Sequence, residues 1–175
     1  EISACLVGSE MCIRDSNIAR IRTLTVLSRL DSEHKRSVLQ FLYEARLIQK
    51  DKKIIDLRGA DFSEVDFFGA KLRAVDLSGA IFNRASFFEA DLSEANLSGA
   101  SFSFAQLSGG NFSGANFSGA DLLFAHLTGA TLTGAIFTGA AYVKENLNKA
   151  ISFNENMNEL QKWADQYNSK ISGDD

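Results

Sequence analysis

Residues 90–99 read Ala90-Asp91-Leu92-Ser93-Glu94-Ala95-Asn96-Leu97-Ser98-Gly99, two copies of a five-residue unit. The same unit runs without a break from Ile55 to about Lys144. Its middle position is Leu, Phe or Tyr in eighteen successive units, from Leu57, Phe62 and Phe67 to Phe137 and Tyr142. Two residues before each stands a small or branched apolar residue, usually Ala, with Gly110 the one glycine. Self-similarity of this length outranks local propensity in deciding the fold.

A period of five excludes an ordinary helix. At roughly 100° per residue each unit advances by about 140°, which smears the apolar positions around every face. In an extended segment, residues two apart share a side, so the Ala and the Leu or Phe of one unit point the same way. The next two positions are mostly Ser or Thr and then Gly, as in Ser78-Gly79 and Thr138-Gly139. These are turn residues, and Gly accepts backbone angles closed to other residues. Each unit is a short extended piece followed by a corner, and repeated corners wind the chain into a coil.

The unit A-(D/N)-(L/F)-(S/T)-G resembles that of the pentapeptide-repeat family, over about half the chain. The resemblance implies an all-β solenoid: a right-handed, quadrilateral parallel β-helix with four units per coil. Eighteen units then make about 4.5 coils, a rod of roughly 22 Å at about 4.8 Å per coil. Residues twenty apart stack in columns, one being Phe62, Phe82, Phe102, Leu122 and Tyr142, another Phe67, Phe87, Leu107 and Leu127. Buried phenylalanines contribute on the order of 2–3 kcal/mol each. Core packing accounts for these stacks, and no cofactor is expected.

The ends depart from the repeat. Residues 1–16, EISACLVGSEMCIRDS, resemble translated adapter sequence and read as a disordered artefact, the native N-terminus being missing. Both cysteines, Cys5 and Cys12, lie there, so neither a disulfide framework nor a zinc site is expected. No signal peptide is seen, which suggests the cytoplasm or the cytoplasmic face of a bacterial membrane. Residues 17–53 read as an amphipathic helical N-terminal cap. Ile18, Ile21, Leu24 and Leu27 form one stripe, and Val38, Leu39, Phe41, Leu42 and Ala45 a second. Asp31-Ser32 and Glu33 supply a helix start between them.

The words Ala19-Arg20, Arg22-Thr23-Leu24-Thr25-Val26-Leu27, Arg29-Leu30-Asp31 and Phe41-Leu42-Tyr43-Glu44 resemble a segment that precedes the repeats in a group of bacterial pentapeptide-repeat proteins. Membrane spans often lie further upstream in that group, so membrane contact through the missing segment is expected. Residues 55–144 are the β-helix, and 145–175 a C-terminal helical cap with a frayed tail. Met157, Leu160, Trp163, Ala164 and Tyr167 fall at helical spacing in that cap.

A net charge of -4 argues against a general nucleic-acid binder. Residues 17–53 hold nine basic against four acidic side chains, and 55–144 hold five against nine. The basic stretch reads as a solvated helix face. Asp56 and Asp76 share a column, where like charges about 4.8 Å apart repel by roughly 1 kcal/mol in water. Their column continues as Asn96 and Asn116, an outer polar ladder and no metal site. His34 and His126 read as ordinary surface, and no catalytic motif is present. No enzyme is expected.

Apolar residues that break the Ser/Gly rule mark a candidate partner patch. Phe68 and Phe88 replace Ser in one column, and Phe104 and Phe124 replace Gly in another, with Leu123 and Val143 beside them. The patch fits either packing against terminal helices and neighbouring coils, or an unknown protein partner or self-association. The expectation is a non-enzymatic scaffold or protein–protein interaction module. The rival is a DNA-mimicking binder of a type II topoisomerase, as some members of the family are. Mimicry needs a dense negative surface, and from Leu97 to Val143 the only formal charge is Asp121.

Overall fold

The computed structural model describes residues 10–142 and Ala150. Its elements are α1 (Glu10–Leu27), α2 (Ser32–Glu44), β1 (Ile48–Gln49), β2 (Lys52–Lys53), β3 (Asp121–Leu122) and β4 (Ala141–Tyr142). Most of the repeat pairs through single parallel bridges, each joining residues twenty apart, from Asp61↔Ile81 to Asn116↔Ile136. β3 and β4 keep that register, Asp121 opposite Ala141. The chain is therefore a parallel β-helix with four five-residue sides per turn. Its rungs are too short to count as long strands because every side ends in a corner.

Each corner is a tight turn. The Leu57 carbonyl accepts from the Ala60 N–H at 2.9 Å, and the Phe82 carbonyl from Ala85 N–H at 3.0 Å. The residue before that N–H is left-handed in every unit from Gly59 to Gly139, with φ between 55° and 77°, as a type II turn requires. The Asp or Asn before the core residue clamps the turn from outside. Asp61 Oδ1 accepts from Ser63 N–H at 2.9 Å, and Asn116 Oδ1 from Ser118 N–H at 3.0 Å and from its hydroxyl at 2.6 Å. The acidic and amide side chains thus satisfy a backbone donor the ladder leaves free. That local role explains the D/N of the unit better than an outer ladder does.

Inside, the Ala and Leu/Phe positions form one continuous buried cluster. Phe82 stacks between Phe62 (5.4 Å) and Phe102 (5.1 Å), and Phe67 on Phe87 (4.8 Å). Neighbouring columns meet edge to face, Phe82 and Phe87 at 5.2 Å, an arrangement aromatic rings favour.

The N-terminal segment differs from a plain helical pair. α1 begins at Glu10, so residues 10–16 are helical rather than disordered. Leu27 is buried and Leu24 packs on the core, whereas Ile18 and Ile21 face water. Spacing by threes drifts by about 60° per step, so nine residues carry that stripe to the opposite side of the helix. In α2, Leu39 and Leu42 are buried and Phe41 is exposed. Asp31 is its N-cap, accepting from His34 N–H at 2.9 Å, and also meets the His34 ring at 2.7 Å.

α2 ends on Arg46 in the left-handed conformation (φ 57°), with Leu47 N–H reaching back to Leu42 O at 3.0 Å. This Schellman-type reversal launches a β1–β2 hairpin where the sequence reading continues helix. The hairpin pairs antiparallel with the start of the second coil: Gln49 bridges Val75, and Asp76 N–H donates to Ile48 O at 2.7 Å. It closes a sheet edge that would otherwise offer free hydrogen-bonding groups. The expected C-terminal cap at 145–175 and its tail lie outside the described residues, apart from Ala150, which packs partly buried on the core.

The hairpin also settles the charge on Asp56 and Asp76. Lys53 Nζ lies 2.9 Å from Asp76 and 3.8 Å from Asp56, and Arg58 Nη2 is 2.6 Å from Asp56. Burial pushes both carboxyls up, but hydrogen bonds from Arg58 on Asp56, and from Ser78 and Lys53 on Asp76, outweigh it and hold both low. The expected repulsion is thus replaced by bridging cations. Depressed carboxyls stabilise the fold above their unfolded value of about 4 and lose that contribution as pH falls through their folded values. Lys53→Met is expected to cost about 2 kcal/mol at neutral pH. The deficit against wild type should narrow on acidification as Asp76 takes up its proton, read by urea unfolding across a pH series.

Candidate interaction surface

The four corner columns are not equivalent. One consists of Gly59, Gly79, Gly99, Gly119 and Gly139. The column on the next corner is Glu64, Arg84, Phe104 and Phe124, with φ of 61°, 58°, 61° and 60° and no glycine at all. A side chain in this conformation costs roughly 1–2 kcal/mol per residue. The edge therefore carries four side chains at positions where the backbone favours none.

Those side chains pair in twos. Arg84 Nη1 lies 3.5 Å from Glu64 Oε1, both largely exposed, a contact worth little in water. Phe104 and Phe124 stack at 4.9 Å with planes 15° apart, yet remain 51% and 52% exposed. Stacking covers one face of each ring. Leu123 is exposed beside them; its N–H donates to Asp121 Oδ1, whose Oδ2 accepts from Ser103. On the adjoining side, Phe68 and Phe88 stack at 5.9 Å and are also exposed. Arg36 of α2 reaches the Phe68 carbonyl at 3.0 Å without covering the ring. Val143 lies outside the described residues.

The sequence reading misses Ile136, exposed at a position that carries Asp or Asn lower in its column. The same departure-from-consensus signal marks it. The left-handed strain under Phe104 and Phe124 has a sequence signal too, since a non-glycine in the glycine place must adopt the glycine's backbone. His126 is exposed at an outward position, and Asp121 is tied to the turn beside it. Among the described residues no group of three or more His, Cys, Asp or Glu is placed to hold a metal ion. No helix among them is long and apolar enough to cross a membrane.

Comparison with known proteins adds a family. The pentapeptide-repeat family model matches in eight copies, over residues 55–84, 66–103, 85–122 and 100–139. A pentapeptide repeat protein from the cyanobacterium Cyanothece 51142 is 26% identical, with 57% of this chain and 69% of that one covered and a TM-score of 0.45. One from the Arabidopsis thaliana thylakoid lumen is 35% identical over 46% of this chain and 59% of its own length, TM-score 0.43. One from Nostoc PCC 7120 is 27% identical over 61% and 94%, TM-score 0.46. No curated protein matches. Repeats of this family wind as a right-handed quadrilateral β-helix, which gives the ladder its hand. The matched segments all fall inside the stretch that keeps the five-residue register, and by that stretch the chain belongs to the pentapeptide-repeat family.

Proposed function

We propose that the chain is a non-enzymatic scaffold whose rod presents an aromatic docking edge to a protein partner. The supporting observation is the Phe104–Phe124 pair, half exposed and held on left-handed corners that glycine would occupy without strain. Phe68, Phe88 and Leu123 extend the apolar surface, and Val143 is assigned to it from its place above Leu123 in the column. In this reading the eighteen units make about 4.5 coils. The N-terminal helices with the hairpin cap one end, and residues 145–175 cap the other. The resemblance of residues 19–44 to the segment that follows membrane spans supports a tethered native form on the cytoplasmic side. The DNA-mimic reading draws no support from an upper half whose sole formal charge between Leu97 and Tyr142 is Asp121.

Phe104→Gly/Phe124→Gly separates docking from folding. It restores the glycine the corner prefers and removes a ring pair worth about 0.5–1.5 kcal/mol, so the melting temperature should hold within a few degrees. Immobilised wild type should retain a specific protein from a bacterial lysate that the variant does not. Equal capture by both, or by neither, would remove the basis for the docking edge.

A further inference from the structure

α1 has a second apolar face, and among the described residues none covers it. Ile18, Ile21 and Val26 are 42%, 59% and 53% exposed. At about 100° per residue, these three with Arg22 and Thr25 fall in an arc of roughly 140°. Arg29 follows in the turn that ends the helix, its N–H on Val26 O at 3.0 Å. The opposite side carries Leu24 and Leu27 to the core and Arg20 to the Arg58 carbonyl at 2.7 Å. α1 is thus anchored by one side, and its other side alternates branched aliphatics with arginines.

Charge selects the occupant. From Asn17 to Leu30 there is no acidic residue, and the cations are Arg20, Arg22 and Arg29. Arg20 turns inward towards Asp56. Arg22 and Arg29 are exposed and make no ion pair among the described residues. Over α1 and its closing turn the arginines Arg14, Arg20, Arg22 and Arg29 outnumber the carboxylates Glu10 and Asp15, so a second copy laid on this face by a twofold would meet a surplus of like charge. Branched apolar side chains among unpaired arginines are instead the make-up of a helix lying in the plane of a lipid interface, apolar groups among the acyl chains and cations among the phosphates.

We propose that the outward face of α1 is a peripheral contact for an anionic lipid surface, with Ile18, Ile21 and Val26 entering the interface and Arg22 and Arg29 meeting the headgroups. The contact is independent of the aromatic edge and needs no upstream anchor. Flotation of the full chain with phosphatidylcholine vesicles, with and without phosphatidylserine, tests it. Wild type should float with the anionic vesicles, weakly with neutral ones, and be released by high salt. Arg22→Gln/Arg29→Gln and Ile21→Ser/Val26→Ser should each lower the partition by roughly tenfold or more, while melting as wild type does because the residues are exposed. Absence from anionic vesicles, or unchanged partition of both variants, overturns the proposal. So does concentration-dependent self-association abolished by Ile21→Ser/Val26→Ser, which would give the face to a second copy. Phe104→Gly/Phe124→Gly should float as wild type does, which keeps this contact distinguishable from the docking edge.

Discussion

Phe82→Ala is expected to cost about 3–5 kcal/mol, the range for emptying a buried aromatic site. Phe82 is fully buried, stacks on rings above and below, and meets Phe67 and Phe87 edge to face. No side chain can collapse into the gap without leaving its own column, because each ring is held by the coil it belongs to. Domains are typically stable by about 5–15 kcal/mol, so one substitution removes a large part of the total. In a chain of this size the melting temperature should fall by about 10 °C. Phe88→Ala, six residues along and exposed, is the control and should lose little more than one stacking contact. Parallel thermal melts by circular dichroism decide it: similar shifts for both variants would mean that the columns do not carry the stability assigned to them.

Gly110→Ala should destabilise, although Ala is the residue the repeat uses at that place. Gly110 is the single glycine among the inward small residues, and Phe112 is the single phenylalanine in the column Leu72, Leu92, Phe112, Leu132. A Cβ at 110 would lie 2.6 Å from Phe112 Cε2 and 3.2 Å from Leu107 O. The ring cannot swing freely, since it packs on Phe117 at 5.6 Å. Alanine lowers the entropy of the unfolded chain by an amount worth about 0.4–1 kcal/mol. Overpacking a buried site costs about 1–3 kcal/mol, so the clash wins. Gly110→Ala/Phe112→Leu restores the ordinary pair and should recover most of the loss. A double-mutant cycle in urea showing no coupling between the two positions would refute the account.

The register was legible because two positions in every five face the core and the corner places favour glycine. Neither signal depends on distant contacts. The coil's twenty-residue pitch came only through the family resemblance, since nothing in one unit states how sharply its corner turns. The hairpin at 48–53 was hidden. Its two-residue connection, Lys50-Asp51, lacks the Asn-Gly or Gly signal that marks such turns, and its pairing partner Val75 lies far along the chain. Missing the hairpin meant missing Lys53, and with it the cation that turns the Asp56–Asp76 column from repulsive to attractive. The aromatic edge was visible as a departure from Ser and Gly at Phe68, Phe88, Phe104 and Phe124. The outward face of α1 was misread because Ile18 and Ile21 were assigned to the same stripe as Leu24 and Leu27.

The twenty-residue ladder also ties the rod's length to its orientation. Inserting twenty residues adds a coil and returns every later side chain to its former compass bearing. Inserting five adds a quarter of a coil and swings all that follows through a quarter turn, so that an insertion between Phe104 and Phe124 would part them onto different sides. Duplication within the gene is therefore silent to the edge only in whole coils. Slips of a single unit redraw which side of the rod carries the rings, with the core pattern untouched.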